Sequence, residues 1–186
     1  ANSYYGDLSS IIIKNLPLWV EFKRVPSKEL VLMPEWEEKL EKIAQAGKDE
    51  DISQISGVPS WNLVLLERIL EITGKKHMLE VWPNFELYVH GGVSFAPYKE
   101  RFQKLFPSQK VKYLETYNAS EGFFGIQDQW VDDSDDNDML LMLDYGIFYE
   151  FIPQGEFHID NPKTLTLDEV ELGKVYAVVI TTNAGL

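Results

Sequence analysis

Two short segments of this 186-residue chain hold the residue types that could do chemistry. The first is His90-Gly91-Gly92-Val93-Ser94-Phe95-Ala96-Pro97. Adjacent glycines carry no Cβ, so a flat ligand can lie directly on the backbone there. The same pair also reads as a tight turn that needs positive φ. The second segment is Tyr117-Asn118-Ala119-Ser120-Glu121-Gly122-Phe123-Phe124-Gly125. An aromatic face can stack on a purine, a serine hydroxyl can donate to a phosphate oxygen, and a glutamate can hold Mg²⁺. Without that chemistry, the segment is a core aromatic followed by a polar turn. Asn118-Ala119-Ser120 also fits the glycosylation pattern, which counts for little when the N-terminus shows no charged-then-apolar export signal.

Other chemistries find little support. With no cysteine, disulfides, zinc-thiolate sites and thiol catalysis are excluded. His77, His90 and His158 are far apart and lack metal-ligand spacing; only His90, beside the glycines, remains a candidate for lining a substrate site. The aspartates at 132, 133, 135, 136 and 138 invite a calcium reading. They lack the glycine and distal glutamate of a calcium loop, so a solvated hairpin tip is expected. A glycine-rich Gly-Lys-Ser loop and a Ser/His/Asp order are both missing.

Charge and composition narrow the class. The formal net charge is −13, which repels a polyphosphate backbone and argues against a nucleic-acid polymer as partner. A small phosphorylated ligand is compatible with it, since backbone N–H groups hold phosphate without a basic surface. Hydrophobic residues at 45% and charged residues at 25% are globular proportions. The apolar runs are too short to span a bilayer, so a soluble, cytoplasmic protein with no membrane partner is expected.

Elements must position the two segments. Asp7 or Ser9 is expected to cap a short helix that Pro17 ends, and Pro34 to open an amphipathic helix through Trp36, Leu40, Ile43 and Ala44 to Gly47. Ser60 is read as the N-cap of a helix apolar nearly all round from Trp61 to Ile72, closed by Gly74 and therefore interior. The period then changes. Phe85–Val89 alternates as a strand, Pro97 opens a helix closed by Pro107, and Val111–Tyr117 is a second strand. Gly122–Gln129, Met139–Leu143, Ile147–Ile152 and Lys174–Thr182 complete a mostly β remainder. Strand, helix and strand imply a parallel βαβ crossover. The predicted fold is α/β: a three-layer-like mixed sheet with a βαβ core, N-terminal helices and a C-terminal antiparallel extension. Ligands of open α/β sheets bind beyond the carboxyl ends of strands, where both segments fall.

Taken together, the run Gly91 to Phe102 followed by Tyr117 to Gly122 resembles the Gretchen Hagen family of acyl-acid amido synthetases, within the adenylate-forming superfamily. Gly57-Val58-Pro59-Ser60-Trp61 and the closing Val179 to Leu186 resemble it too, in the family's order. Asn118-Ala119 stands where the family more often has Ala-Ser or Gly-Ser. The resemblance implies an ATP-dependent ligase that adenylates a small carboxylic acid and passes the acyl group to an amino acid. It implies that Gly91, Gly92 and Val93 line an adenine slot on which Tyr117 stacks. Asn118 and Ala119 would add backbone contacts, Ser120 would reach the α-phosphate, and Glu121 would coordinate Mg²⁺. Trp61 and Phe123 are implied as walls of an acyl pocket, although an aromatic at a buried helix start is usually core.

The resemblance also sets expectations about extent. Family members are roughly three times longer, so residues 1–186 are expected to be one fragment of the large ATP-binding, adenylation domain. The N-terminal phosphate loop and the C-terminal domain are not recognised within them. The fragment alone is expected to be inactive and, with sheet neighbours missing, to self-associate. The rival readings are an acyl- or aryl-CoA ligase of the same superfamily and a non-catalytic nucleotide-binding remnant.

Overall fold

A computed structural model describes residues 8–130 and 138–183. Four helices come first: α1 (Leu8–Lys14), α2 (Leu18–Glu21), α3 (Lys28–Val31) and α4 (Trp36–Gly47). The single-turn α2 and α3 escape sequence reading because four residues carry no helical period. Ser9 lies inside α1 and does not cap it, while Asp7 falls outside the described residues. The cap of α4 is Glu35, whose carboxylate accepts from the N–H groups of Glu37 and Glu38 at 3.3 and 2.6 Å.

Next come the short strand β1 (Gln54–Ser56) and helix α5 (Pro59–Thr73). Two expectations about α5 need correction. Its N-cap is Val58, with Pro59 in the first turn; Ser60 is already inside the helix. Nor is the helix interior all round. Leu63, Leu66 and Ile69 face the core, but Trp61 and Val64 are about half exposed. The outer face is held by charge: Arg68 donates to Glu41 of α4 and to Glu71, both at 2.8 Å. Gly74 ends the helix at φ 66°, the left-handed geometry that glycine adopts without a Cβ penalty.

The rest comprises β2 (Leu87–Gly91), α6 (Ala96–Leu105), β3 (Lys112–Ala119), β4 (Gly122–Gln127), β5 (Met139–Leu141), β6 (Ile147–Pro153) and β7 (Tyr176–Thr182). Five strands form one sheet in the order β1-β2-β3-β4-β5. The first three are parallel, and β4 and β5 are antiparallel to what precedes them. Strands β6 and β7 make a separate antiparallel pair. This is the expected mixed α/β sheet, with β2–α6–β3 as its βαβ unit. Asp132, Asp133, Asp135 and Asp136 lie outside the described residues, and Asp138 directly precedes β5. No helix among the described residues is long and apolar enough to cross a membrane.

Two apolar cores hold these layers. The larger joins α4, α5, α6 and the parallel strands through Leu66, Trp82, Phe85, Tyr88, Phe102 and Phe106. Tyr88 stacks on Phe102 at 4.5 Å and Phe85 on Phe106 at 4.2 Å. The smaller joins Phe124 of β4 to Tyr149 and Phe151 of β6. Tyr149 also donates its hydroxyl to the Met142 carbonyl at 3.2 Å. The second core therefore seats the β3–β4 hairpin on the β6–β7 pair.

Candidate functional site

Because β1, β2 and β3 are parallel, their carboxyl ends share one edge of the sheet, and each delivers one piece of the candidate site. At the end of β1, Gly57 adopts φ 144°. Its N–H donates to the Val89 carbonyl at 3.0 Å and its carbonyl accepts from the Tyr88 hydroxyl at 2.8 Å. A Cβ there would stand 3.0 Å from Asn62 Nδ2, an atom that also donates to the Tyr88 hydroxyl at 3.3 Å. The Gly57–Pro59 loop is thus locked onto β2 from below.

At the end of β2, Gly91 pairs in register with Thr116 of β3. A Cβ on Gly91 would meet the Thr116 carbonyl oxygen at 2.4 Å, so the strands approach too closely there for any side chain. Gly92 takes φ 82° and opens onto solvent, with Val58 its nearest side-chain neighbour, 3.6 Å from a notional Cβ. Both adjacent glycines are therefore required, one for space and one for backbone sign. Val93 beyond them is exposed.

The third piece follows Thr116. Tyr117 is 53% exposed, its ring tilted against Phe124 at a centroid distance of 5.1 Å. It is not a core aromatic. Strand β3 also runs two residues further than expected, through Asn118 and Ala119, with a register shift between Tyr117 and Asn118. Ala119 then pairs with Gly122, leaving Ser120 and Glu121 as a two-residue hairpin loop, both exposed. Thr116 to Ser120 is four residues, roughly 13 Å at 3.3 Å per residue. Gly122 lies close to the Ile147 side chain, whose Cδ1 would stand 2.7 Å from a notional Cβ. Phe123 faces Tyr145 at 6.0 Å.

The register thus sets Gly91 beside Thr116, with Gly92 and Tyr117 the next residues of each chain segment, and the hairpin carries Asn118, Ala119, Ser120 and Glu121 onward from them. His90 is placed differently. It is 3% exposed, stacked on Phe95 at 4.0 Å and tilted against Tyr88 at 5.3 Å. Burial pushes its pKa down to about 4, so the ring is neutral at pH 7. It is packed among these rings, whereas Gly92 and Val93 beyond it are exposed. Trp61 is 52% exposed and meets Trp36 of α4 edge-on at 4.3 Å. Among the described residues no three acidic or histidine side chains converge on a metal position. Glu121 could supply one oxygen to a hard divalent cation, with phosphate and water filling the remaining positions.

Three participants are invisible in the sequence: Thr116, which donates its hydroxyl to the His90 carbonyl at 3.1 Å, and the Tyr88–Asn62 pair that fixes Gly57. The available signal was Gly57 itself, a glycine between a short strand and a proline-opened helix.

This fold has a counterpart. The structure matches GH3.15 acyl acid amido synthetase with a TM-score of 0.66 at 13% identity, over 88% of this chain and 37% of that one. The two therefore share their fold over the matched region. Residues 1–111 match the GH3 family N-terminal domain and residues 140–186 the GH3 family central domain, and the chain belongs to the GH3 family. It is 37% identical over 109 residues to a protein of Oryza sativa subsp. japonica named "Probable indole-3-acetic acid-amido synthetase GH3.9", covering 57% of this chain and 24% of that protein. It is 27% identical over 154 residues to indole-3-acetic acid-amido synthetase GH3.3 of Arabidopsis thaliana, covering 78% of this chain and 25% of that protein. The chain spans about a quarter of the length of the curated relatives it matches.

Proposed function

We propose that residues 1–186 are part of the adenylation domain of a cytoplasmic, ATP-dependent acyl-acid amido synthetase. A small carboxylic acid attacks the α-phosphate of ATP, the bond to the β-phosphate breaks, and pyrophosphate leaves. The amine of an amino acid then attacks the acyl carbon, AMP leaves, and the amine gives up a proton as the amide forms. The single observation that supports this reading most is the Gly91–Thr116 register. It sets a two-glycine bend beside the strand that carries an exposed ring and runs on to a hydroxyl and an acid.

Each residue has a task in this reading. Gly91, Gly92 and Val93 offer backbone to the purine edge, and Tyr117 covers its face. Asn118 and Ala119 add main-chain groups along the nucleotide. Ser120 donates to an α-phosphate oxygen as negative charge develops there. Glu121 supplies a carboxylate oxygen for Mg²⁺, whose chemistry when bound is to offset phosphate charge. Trp61 and Phe123 are apolar surface for the acid's body. Holding acid and phosphate in line supplies much of the remaining acceleration.

The test uses the full-length parent protein. Acid-dependent exchange of labelled pyrophosphate into ATP, with an amide product when an amino acid is added, is the expected outcome. Exchange with transfer only to coenzyme A would replace the acceptor half of the reading; no exchange with any acid would remove the whole of it.

A further inference from the structure

His90 is buried, yet its proposed site is open. Its neighbours explain what it does. The four residues Gly91 to Ser94 form the bend, and the residues at its two feet are His90 and Phe95. Their rings stack at 4.0 Å with an interplanar angle of 23°. Phe95 is also the N-cap of α6, where its carbonyl accepts from the N–H groups of Tyr98 and Lys99 at 2.8 and 3.1 Å. On the other side His90 rests against Tyr88, whose hydroxyl is tied to Gly57. One row of rings therefore links the β1 loop, the end of β2 and the start of α6.

The His90 carbonyl accepts from the Thr116 hydroxyl. Side-chain Nδ1 is buried and has no partner among the described residues. The imidazole is engaged through its faces. A ring of this shape, kept neutral by its surroundings, closes the base of the bend as an apolar plate would.

We propose that His90 and Phe95 form a clasp across the base of the Gly91–Ser94 bend, and are positioning residues that fix the backbone against which the purine lies. This rests on the nucleotide reading given above. The clasp takes no part in proton transfer. It acts by holding the main-chain groups of Gly91, Gly92 and Val93 at one height relative to Tyr117.

The full-length parent, assayed by pyrophosphate exchange, tests this with a split between KM and kcat. His90→Ala removes the plate and is expected to raise the KM for ATP about tenfold with little change in kcat, in line with about 1.4 kcal/mol for an aromatic pair. His90→Phe keeps the stack without the nitrogens and is expected to bring the KM back to within about threefold of wild type. Should His90→Ala fail to fold, Phe95→Leu takes its place and must show the same KM-selective rise. An unchanged KM in the truncated variant, or a His90→Phe enzyme as impaired as His90→Ala, overturns the clasp. A wild-type parent with no exchange activity overturns the adenylation reading itself, so the two failures are distinct.

Discussion

Gly91 and Thr116 lie opposite each other at the carboxyl end of the parallel strands, and a Cβ on Gly91 would stand 2.4 Å from the Thr116 carbonyl oxygen. That obstacle is backbone, so it cannot rotate away. Gly91→Ala must part β2 from β3 or distort the bend. Overpacking of this kind costs roughly 1–3 kcal/mol. Urea unfolding of the full-length parent should show that loss, accompanied by weaker ATP binding, whereas the exposed Val93→Ala should leave stability within about 0.5 kcal/mol.

Tyr117 presents an open ring, and stacking of a base on an aromatic side chain is worth about 1–3 kcal/mol. Tyr117→Ala should raise the KM for ATP about tenfold or more. Tyr117→Phe keeps the face and should resemble wild type. Equal KM values for all three proteins would remove the stacking role.

Glu121 sits on an exposed two-residue loop. Glu121→Gln deletes only a charge there, so the melting temperature should hold. Pyrophosphate exchange should fall by orders of magnitude if the carboxylate meets Mg²⁺. A normal exchange rate in this variant contradicts the metal role.

Burial gives His90 a pH signature. In the unfolded chain its imidazole protonates near the ordinary 6.5, in the folded chain only near about 4. Between those values the unfolded state binds more protons, so stability is full above about 6.5 and declines as pH falls toward 4, by on the order of 3 kcal/mol at most. The groups around it are Tyr88, Phe95 and, as its register partner on β3, Glu115. Burial pushes the Glu115 carboxyl up, which favours the neutral acid and partly opposes the trend. Urea midpoints between pH 7 and pH 4.5 should therefore drop more steeply in wild type than in His90→Phe.

The N-terminal helices expose large apolar side chains, with Leu18 at 79%, Trp19 at 72% and Phe22 at 87%. Residues 1–186 produced alone should self-associate through this surface. Light scattering after size exclusion should report a species above monomer mass that shrinks when Trp19 and Phe22 are both changed to Ser. A monomer at micromolar concentration contradicts the expectation.

Much of the arrangement was legible in the sequence where period or punctuation is strong. Strand β2, helix α6 and strand β3 follow from alternation, a proline and a second alternation, and their order requires parallel pairing. Both glycines were legible as a bend. What they press against was not, because Thr116 is chosen by register, and register is a property of two strands at once. Helix α5 was misread for a related reason. Its first turns contain no charge, but Glu67, Arg68 and Glu71 give it an outer face whose partners, Glu41 on α4 and Arg101 on α6, lie far away in sequence. The three-residue β1 is too short to show alternation at all. The chemistry of His90 is plain from its residue type, while its packing depends on Phe95 coming round the bend, which no local pattern reveals.

A Cβ at Gly122 would meet the end of the Ile147 side chain, and Ile147 pairs with Thr182 of β7. Phe124, on which the Tyr117 ring rests, packs in turn with Tyr149 and Phe151. The hairpin that carries Glu121 thus takes its packing partners from β6 and β7, well beyond it in the chain. A chain cut short of residue 147 would therefore lack the packing that backs the Tyr117 ring and the hairpin alike.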